Sequence, residues 1–259
     1  MTEHTITLST GAEMPLLGFG TWQLQGQEAY DSVLAALEVG YRHIDTATGY
    51  GNEREVGRAI KDSGVPRDDI FITTKLPPDN AGKERETIAA SLRDLGVDQV
   101  DLWLVHWPPG GKARPETWKE FLAIQADGLT KAAGVSNYSA EQIDELVKAT
   151  GTAPAVNQIK WTPRIFDPER AAHLKQNGVV LEGYSPFRAG DLNDPVLAEI
   201  AQQHGVTPAQ VILRWHIDRG FVVIPKSAHR ERIAANFDVF GFSLNDEELA
   251  RIDGLSTEA

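Results

Sequence analysis

The 259-residue chain has no cysteine. That single absence removes disulfides, thiolate metal sites and cysteine nucleophiles together. Basic residues are also scarce, with 25 Lys and Arg against 37 Asp and Glu, a formal charge of −12 at pH 7. Such an acidic surface argues against nucleic acid or an anionic membrane as the main partner. No apolar run approaches the roughly 18 residues that a membrane-spanning helix requires. Residues 1–22 lack a basic stretch followed by an apolar one, so no secretory signal is read there and a cytoplasmic protein is expected. No Pro/Ser-rich linker, charge block or low-complexity tract interrupts the chain, which points to one domain over residues 1–259. The seven histidines are scattered without ligand spacing, so no metal site is expected.

What is present is an alternation. Short apolar runs occupy residues 16–21, 41–45, 69–75, 100–106, 131–137, 153–158, 179–185 and 221–227. They are mostly continuous rather than alternating, as strands are when both faces of a parallel sheet are covered. Between them lie helical patterns with apolar residues three and four apart, such as Val33, Leu34 and Leu37, or Ile88, Leu92 and Leu95. Glycines at Gly40, Gly64, Gly96 and Gly178 follow several of these patterns, where a left-handed cap is wanted. Eight strand–helix units in about 250 residues predict an α/β fold of the (β/α)8 TIM barrel type. An open doubly wound sheet is the alternative, but Gly18-Phe19-Gly20-Thr21-Trp22-Gln23 lacks the third glycine of a dinucleotide fingerprint. Residues 5–17 read as an N-terminal β-hairpin turning near Thr10-Gly11, a plug beneath the barrel. Two helical patterns, 195–204 and 208–219, share the interval before the last strand, so one is extra to the barrel. A short C-terminal extension completes the chain at Ala259.

In such a barrel the reactive groups gather where the strands end. The second strand ends in Asp45, the third in Lys75, the fourth in His106 and the eighth in Lys226. The fifth, sixth and seventh end in Ser136-Asn137, Gln158 and Tyr184-Ser185. A single polar strand end is merely a strand reaching solvent. Asp45, Lys75 and His106 on consecutive strands are within reach of one another, which makes them a candidate site. Tyr50 follows Asp45 in a Gly49-Tyr50-Gly51 loop.

At these residues the chain resembles the aldo-keto reductases. Gly40-Tyr41-Arg42-His43-Ile44-Asp45-Thr46-Ala47, then Tyr50-Gly51-Asn52-Glu53 and Val56-Gly57, match that family's first motif. Lys75, His106 in Leu104-Val105-His106-Trp107-Pro108, Gly134-Val135-Ser136-Asn137-Tyr138, and Ile224-Pro225-Lys226-Ser227 with Arg232 and Asn236 fall at the family's spacings. The chain has the look of a small bacterial member and is similar to the 2,5-diketo-D-gluconic acid reductases.

The resemblance implies NADPH-dependent reduction of a small carbonyl compound by a monomer. Hydride arriving at a carbonyl carbon leaves negative charge on the oxygen, so a proton donor must stand beside it. Tyr50 is the expected donor, Lys75 the charge that eases its ionisation, and Asp45 the carboxylate that holds Lys75. His106 would donate a hydrogen bond to the carbonyl oxygen. Ser136, Asn137 and Gln158 would hold the nicotinamide carboxamide and Tyr184 would wall its ring, with Ser185 and Phe187 nearby. Lys226, Ser227 and Arg232 suit a 2′-phosphate, Asn236 would reach the adenine, and Thr21 and Trp22 lie near the nicotinamide end. Trp22, Tyr50, His106 and Trp107 would line an open substrate pocket with broad specificity.

Four residues depart from the family pattern. Trp161 replaces a frequent histidine and Ala235 a frequent glutamate, so a weaker cofactor grip is expected; Phe187-Arg188 replaces a Leu-Gly pair where the pyrophosphate would lie, and Arg188 reads as an exposed arginine, with phosphate binding the alternative. Two other readings use the same residues: a cofactor-binding regulatory member with little turnover, and a nicotinamide-independent barrel hydrolase or isomerase using Asp45 and His106.

Overall fold

The computed structural model describes residues 4–187 and 191–257. Strands form where the apolar runs lie. β1 (Thr5–Thr7) and β2 (Glu13–Pro15) make an antiparallel hairpin. β3 (Phe19–Gly20), β4 (His43–Asp45), β5 (Phe71–Leu76), β6 (Val100–Val105), β7 (Thr130–Ser136), β8 (Val156–Lys160), β9 (Val180–Tyr184) and β10 (Val222–Ile224) lie parallel, each beside its neighbour in sequence. The first and last of these are joined: Gly18 N–H donates to Val223 O at 2.9 Å and Gly20 N–H to Pro225 O at 3.0 Å. The sheet therefore closes into a (β/α)8 TIM barrel.

The helices are α1 (Gly26–Val39), α2 (Glu53–Asp62), α3 (Glu84–Leu95), α4 (Pro115–Ala126), α5 (Ala140–Thr150), α6 (Pro168–Gln176), α7 (Pro195–His204), α8 (Pro208–Asp218), α9 (Arg230–Phe237) and α10 (Asp246–Asp253). The helix starts are written in the sequence. Ser139, Thr207 and Asn245 each form a reciprocal capping box, satisfying amides that the first turn leaves without a partner. α8 packs on β10, whereas α7 packs on α8 and α10 and is the helix extra to the barrel. None of the described helices is long and apolar enough to cross a membrane.

Side-chain alternation along the strands divides the core in two. Ile44, Ile72, Trp103, Val105, Val135, Ile159, Leu181 and Val223 point outward and join the helices in one buried cluster. Phe71, Leu102, Leu104, Ala132, Val156 and Val222 point inward and pack with Leu8 and Met14 of the hairpin. The hairpin thus seals the lower end of the barrel with two apolar side chains, each contributing on the order of 1.5–3 kcal/mol on burial. Gly57 sets how closely α2 can approach α3, since a Cβ there would lie 2.2 Å from the carbonyl oxygen of Leu95.

Above this apolar bottom the inward positions turn polar. His43 and Asp45 are two apart on β4, Thr73 and Lys75 on β5, and Glu182 and Tyr184 on β9. A strand's period of two puts each pair on one face, one residue above the other.

Candidate active site

The strand ends open into a cavity of about 630 Å³ lined by Trp22, Tyr50, His106, Trp107, Asn137, Tyr184 and neighbours including Gly20, Gln23, Asp45, Ser136, Gln158, Phe187 and Lys226. Tyr50 is delivered by a one-turn helix, Thr48–Tyr50, which ends at Gly51 with a left-handed φ of 69°. Thr48 Oγ1 donates to Lys75 O at 3.0 Å and ties that turn to β5. Asn52 anchors the surrounding loops, its Nδ2 donating to Thr21 O and Leu24 O while its Oδ1 accepts from Thr46.

Beneath Tyr50, Lys75 is fully buried and its ammonium shares three protons among four acceptors. Nζ donates to Asp45 Oδ1 at 2.6 Å, Asp45 Oδ2 at 2.7 Å and Thr46 O at 2.8 Å, with Tyr50 Oη at 3.4 Å. Gln158 Nε2 donates to Asp45 Oδ2 at 2.7 Å, so the carboxylate is gripped from two sides. Burial opposes the charge on Lys75, but Asp45 and then Tyr50 outweigh it and raise the amine above its ordinary pKa. Burial likewise pushes Asp45 up while the ammonium pulls it back. Burial wins at Asp45, whose net direction is upward, and an ion pair this dry persists because each partner offsets part of the other's desolvation penalty and hydrogen bonds fill the remaining sites.

The effect on Tyr50 differs from the expectation that Lys75 would bring the phenol down. Burial pushes the hydroxyl above the ordinary phenol value, Lys75 pulls against that push, and Asp45 adds to it, leaving the net direction upward. The hydroxyl is therefore held protonated, the form that a proton donor requires. His106 stands edge-on to Tyr50 with ring centroids 5.5 Å apart. Burial, assisted by the charge of Lys75, pushes its imidazole down to about 3. A neutral ring keeps one N–H to donate and one nitrogen to accept.

On the opposite wall Tyr184 Oη donates to Asn137 Oδ1 at 2.8 Å, Asn137 Nδ2 donates to His106 O and Ser136 Oγ, both at 3.0 Å, and Ser136 Oγ donates to Gln158 O at 2.8 Å. Asn137 takes a left-handed φ of 64° and Ser185 one of 53°. That turns Asn137 toward the cavity, and the cap of α5 falls to Ser139 instead. Ser185 and Phe187 also line the cavity.

Not every expected residue reaches it. Thr21 is fully buried and its hydroxyl is committed to Asp45 O at 2.9 Å, so its side chain braces the loop and does not face the cavity. Gln158 is not the end of its strand, because β8 continues to Lys160. Ser227, Arg232 and Asn236 lie outside the cavity, running from the end of β10 into α9. Ser227 Oγ accepts from His229 N–H at 3.1 Å. Arg230 pairs with Glu38 at 2.7 Å, whereas Lys226 and Arg232 are exposed and have no ion-pair partner among the described residues. Residues missed from the sequence include Gln23, whose φ is 66°, and the inward-facing His43 and Glu182.

A model of the aldo/keto reductase family matches residues 16–257. The chain belongs to that family. An aldo-keto reductase of Mycolicibacterium smegmatis is 47% identical over 257 residues, spanning 97% of this chain and 93% of its own. The methylglyoxal reductase DkgA of Escherichia coli strain K12 is 41% identical over 251 residues, 95% of this chain and 91% of its own. The crystal structure of an aldo/keto reductase from Brucella melitensis superposes with a TM-score of 0.95 at 43% identity, covering 98% of both chains.

Two departures of this aldo-keto reductase from the family pattern now have a physical setting. Trp161 is buried against Phe166 and Phe221, with ring centroids 5.9 and 5.8 Å away, so it fills the layer between barrel and helices and is not on the cavity wall. Ala235 is on α9, one residue before Asn236. Arg188 lies outside the described residues.

Proposed function

We propose that this aldo-keto reductase reduces small aldehydes, ketones, α-dicarbonyls or keto-sugars to alcohols with NADPH, Tyr50 acting as the general acid. The observation that carries the reading is the buried ammonium of Lys75, 3.4 Å from a phenol that opens on the cavity. Bound NADPH supplies the hydride that reaches the carbonyl carbon. As negative charge gathers on the carbonyl oxygen, Tyr50 Oη gives up its proton to it. The phenolate left behind faces Lys75, whose charge is already fixed by Asp45 and needs no rearrangement when the reaction occurs. His106, neutral and adjacent, donates a hydrogen bond to the same oxygen and orients the carbonyl.

The cavity suits a nicotinamide dinucleotide. Tyr184 offers an aromatic face, while Ser136, Asn137 and Gln158 form one hydrogen-bond network beside it. Lys226 and Arg232, without ion-pair partners among the described residues, supply with Ser227 the point charge, fork and hydroxyl that a 2′-phosphate takes up, and this favours NADPH over NADH. Trp22 and Trp107, 45% and 48% exposed, form apolar lips suited to small planar dicarbonyls. The methylglyoxal reductase among the relatives makes an α-dicarbonyl a natural first substrate. A barrel hydrolase or isomerase is disfavoured because both oxygens of Asp45 are engaged by Lys75 and are not free to act as a base.

The test is a panel of aldehydes, α-dicarbonyls and keto-sugars assayed by loss of NADPH absorbance. The expected outcome is turnover of many members with high KM values. Turnover of none, or a sub-micromolar KM for just one, would overturn the reading.

A further inference from the structure

One carboxylate in the barrel has no role in the scheme above. Glu182 points inward from β9, two residues below Tyr184, and is completely buried. Neither of its oxygens has a hydrogen bond of good geometry among the described residues, and the Gln158 amide beside it, which favours the ionised form, already donates to Asp45. Lys75, the one ammonium inside the barrel among the described residues, already donates to Asp45, Thr46 and Tyr50. The titratable and charged groups facing Glu182 are His43 and Asp45 from β4 and Lys75 from β5, with the neutral Gln158 from β8 beside them. His43 Nε2 is 3.6 Å from Glu182 Oε1, too far for a hydrogen bond, and lies 3.2 Å from Thr73 Oγ1.

The chain makes room for this pair. A Cβ on Gly18 would fall 2.4 Å from His43 Nδ1, so only glycine permits the imidazole to lie across the floor of the site.

An ionised carboxylate in this position would be dry, without an ion-pair partner of its own and next to a second carboxylate, a cost that the Gln158 amide and the shared charge of Lys75 do not offset. His43 offers no relief, since burial, reinforced by Lys75, pushes its imidazole down to about 3.

We propose that Glu182 is a proton-holding positioning residue which, through Lys75 and Asp45, sets the pH at which Tyr50 loses its proton. Kept neutral by its surroundings, it leaves the field of Lys75 to Asp45 and the Tyr50 phenol. Once ionised in alkaline solution, it adds a second negative charge to the floor, takes part of that field and opposes the phenolate above it. Burial, followed by repulsion from Asp45, pushes its carboxyl up to about 8, so the change falls in an accessible range. The consequence is directional. Carbonyl reduction needs Tyr50 protonated and is protected at high pH, while alcohol oxidation needs the phenolate and is held back.

This inference rests on Tyr50 being the proton donor, so its test includes arms that do not use activity. Glu182→Gln keeps the shape of the side chain and removes the titration. For alcohol oxidation, the pH limb on which kcat/KM rises moves in Glu182→Gln to lower pH by about half a unit or more, a roughly threefold gain at a fixed pH on that limb. Independently of turnover, the urea midpoint of Glu182→Gln relative to the natural protein rises between pH 6 and 9. The natural enzyme alone has a protonated-carboxyl infrared band at pH 6 that disappears with a midpoint near 8, and this arm serves even if the variant fails to fold. Superimposable pH profiles would overturn the coupling to Tyr50. Parallel stability curves, or no carboxyl band titrating between pH 7 and 9, would overturn the proton-holding role itself.

Discussion

Lys75 Nζ lies 3.4 Å from Tyr50 Oη and closer still to both oxygens of Asp45, so one buried ammonium links a committed carboxylate to a phenol at the cavity wall. The three side chains come from the ends of β4 and β5 and from the turn between them, and no loop rearrangement is needed to assemble them.

Removing the charge of Asp45 tests the lower half of this link. In Asp45→Asn the ammonium of Lys75 loses its counter-ion while remaining fully buried, so Lys75 tends to shed its proton and the phenolate loses its stabilising charge. The expected cost is about 3–5 kcal/mol in urea unfolding, as for other broken buried pairs. Reduction falls by about a hundredfold or more. A variant as stable as the natural protein would show that the pair is not the dry contact described.

Arg232 tests cofactor choice. Its guanidinium is exposed on the first turn of α9 and has no ion-pair partner among the described residues. A charge-assisted contact to a 2′-phosphate is worth about 1.5–3 kcal/mol, so Arg232→Ala is expected to raise KM for NADPH roughly 10- to 100-fold and KM for NADH little. Equal losses with the two cofactors would remove the phosphate role.

Stability should depend on pH with a definite sign. Burial pushes His43 and His106 down to about 3 and His216 to about 4. Below about 6.5 the unfolded chain takes up protons that these folded histidines refuse, so stability is lost as pH falls toward 3. Glu182 acts oppositely: above about 4.3 the unfolded carboxyl ionises while the folded one holds its proton up to about 8, so stability is lost as pH rises across that window. Between these values three histidines outweigh one glutamate, placing the maximum contributed by these groups near pH 6.5. Urea midpoints measured from pH 4 to 9 check this, and a curve that is flat or rises steadily to pH 9 would contradict it.

The barrel was legible because covered parallel strands are continuous apolar runs, and all eight expected runs contain a strand. The strand-end logic also located Asp45, Lys75 and His106, since polar residues directly after such runs mark the mouth. What escaped was the layer below. His43 and Glu182 sit inside apolar segments and read as strand interior, although each lies two residues before an expected site residue. That period of two is the signal that finds them. Thr21 turns away from the cavity for a different reason: adjacency in sequence to a site residue does not fix which way a side chain turns, and a hydrogen bond to Asp45 O claims its hydroxyl. The upward push on the Tyr50 phenol was not readable at all, because it arises from burial by segments far apart in the chain.

The most direct test of the central claim is a single-turnover measurement of carbonyl reduction by Tyr50→Phe, paired with quenching of tryptophan fluorescence by NADPH. With Tyr50 as proton donor, the reduction rate falls by about 10²- to 10⁴-fold while NADPH binding stays within a few-fold. Reduction within tenfold of the natural enzyme, at unchanged cofactor binding, would contradict it.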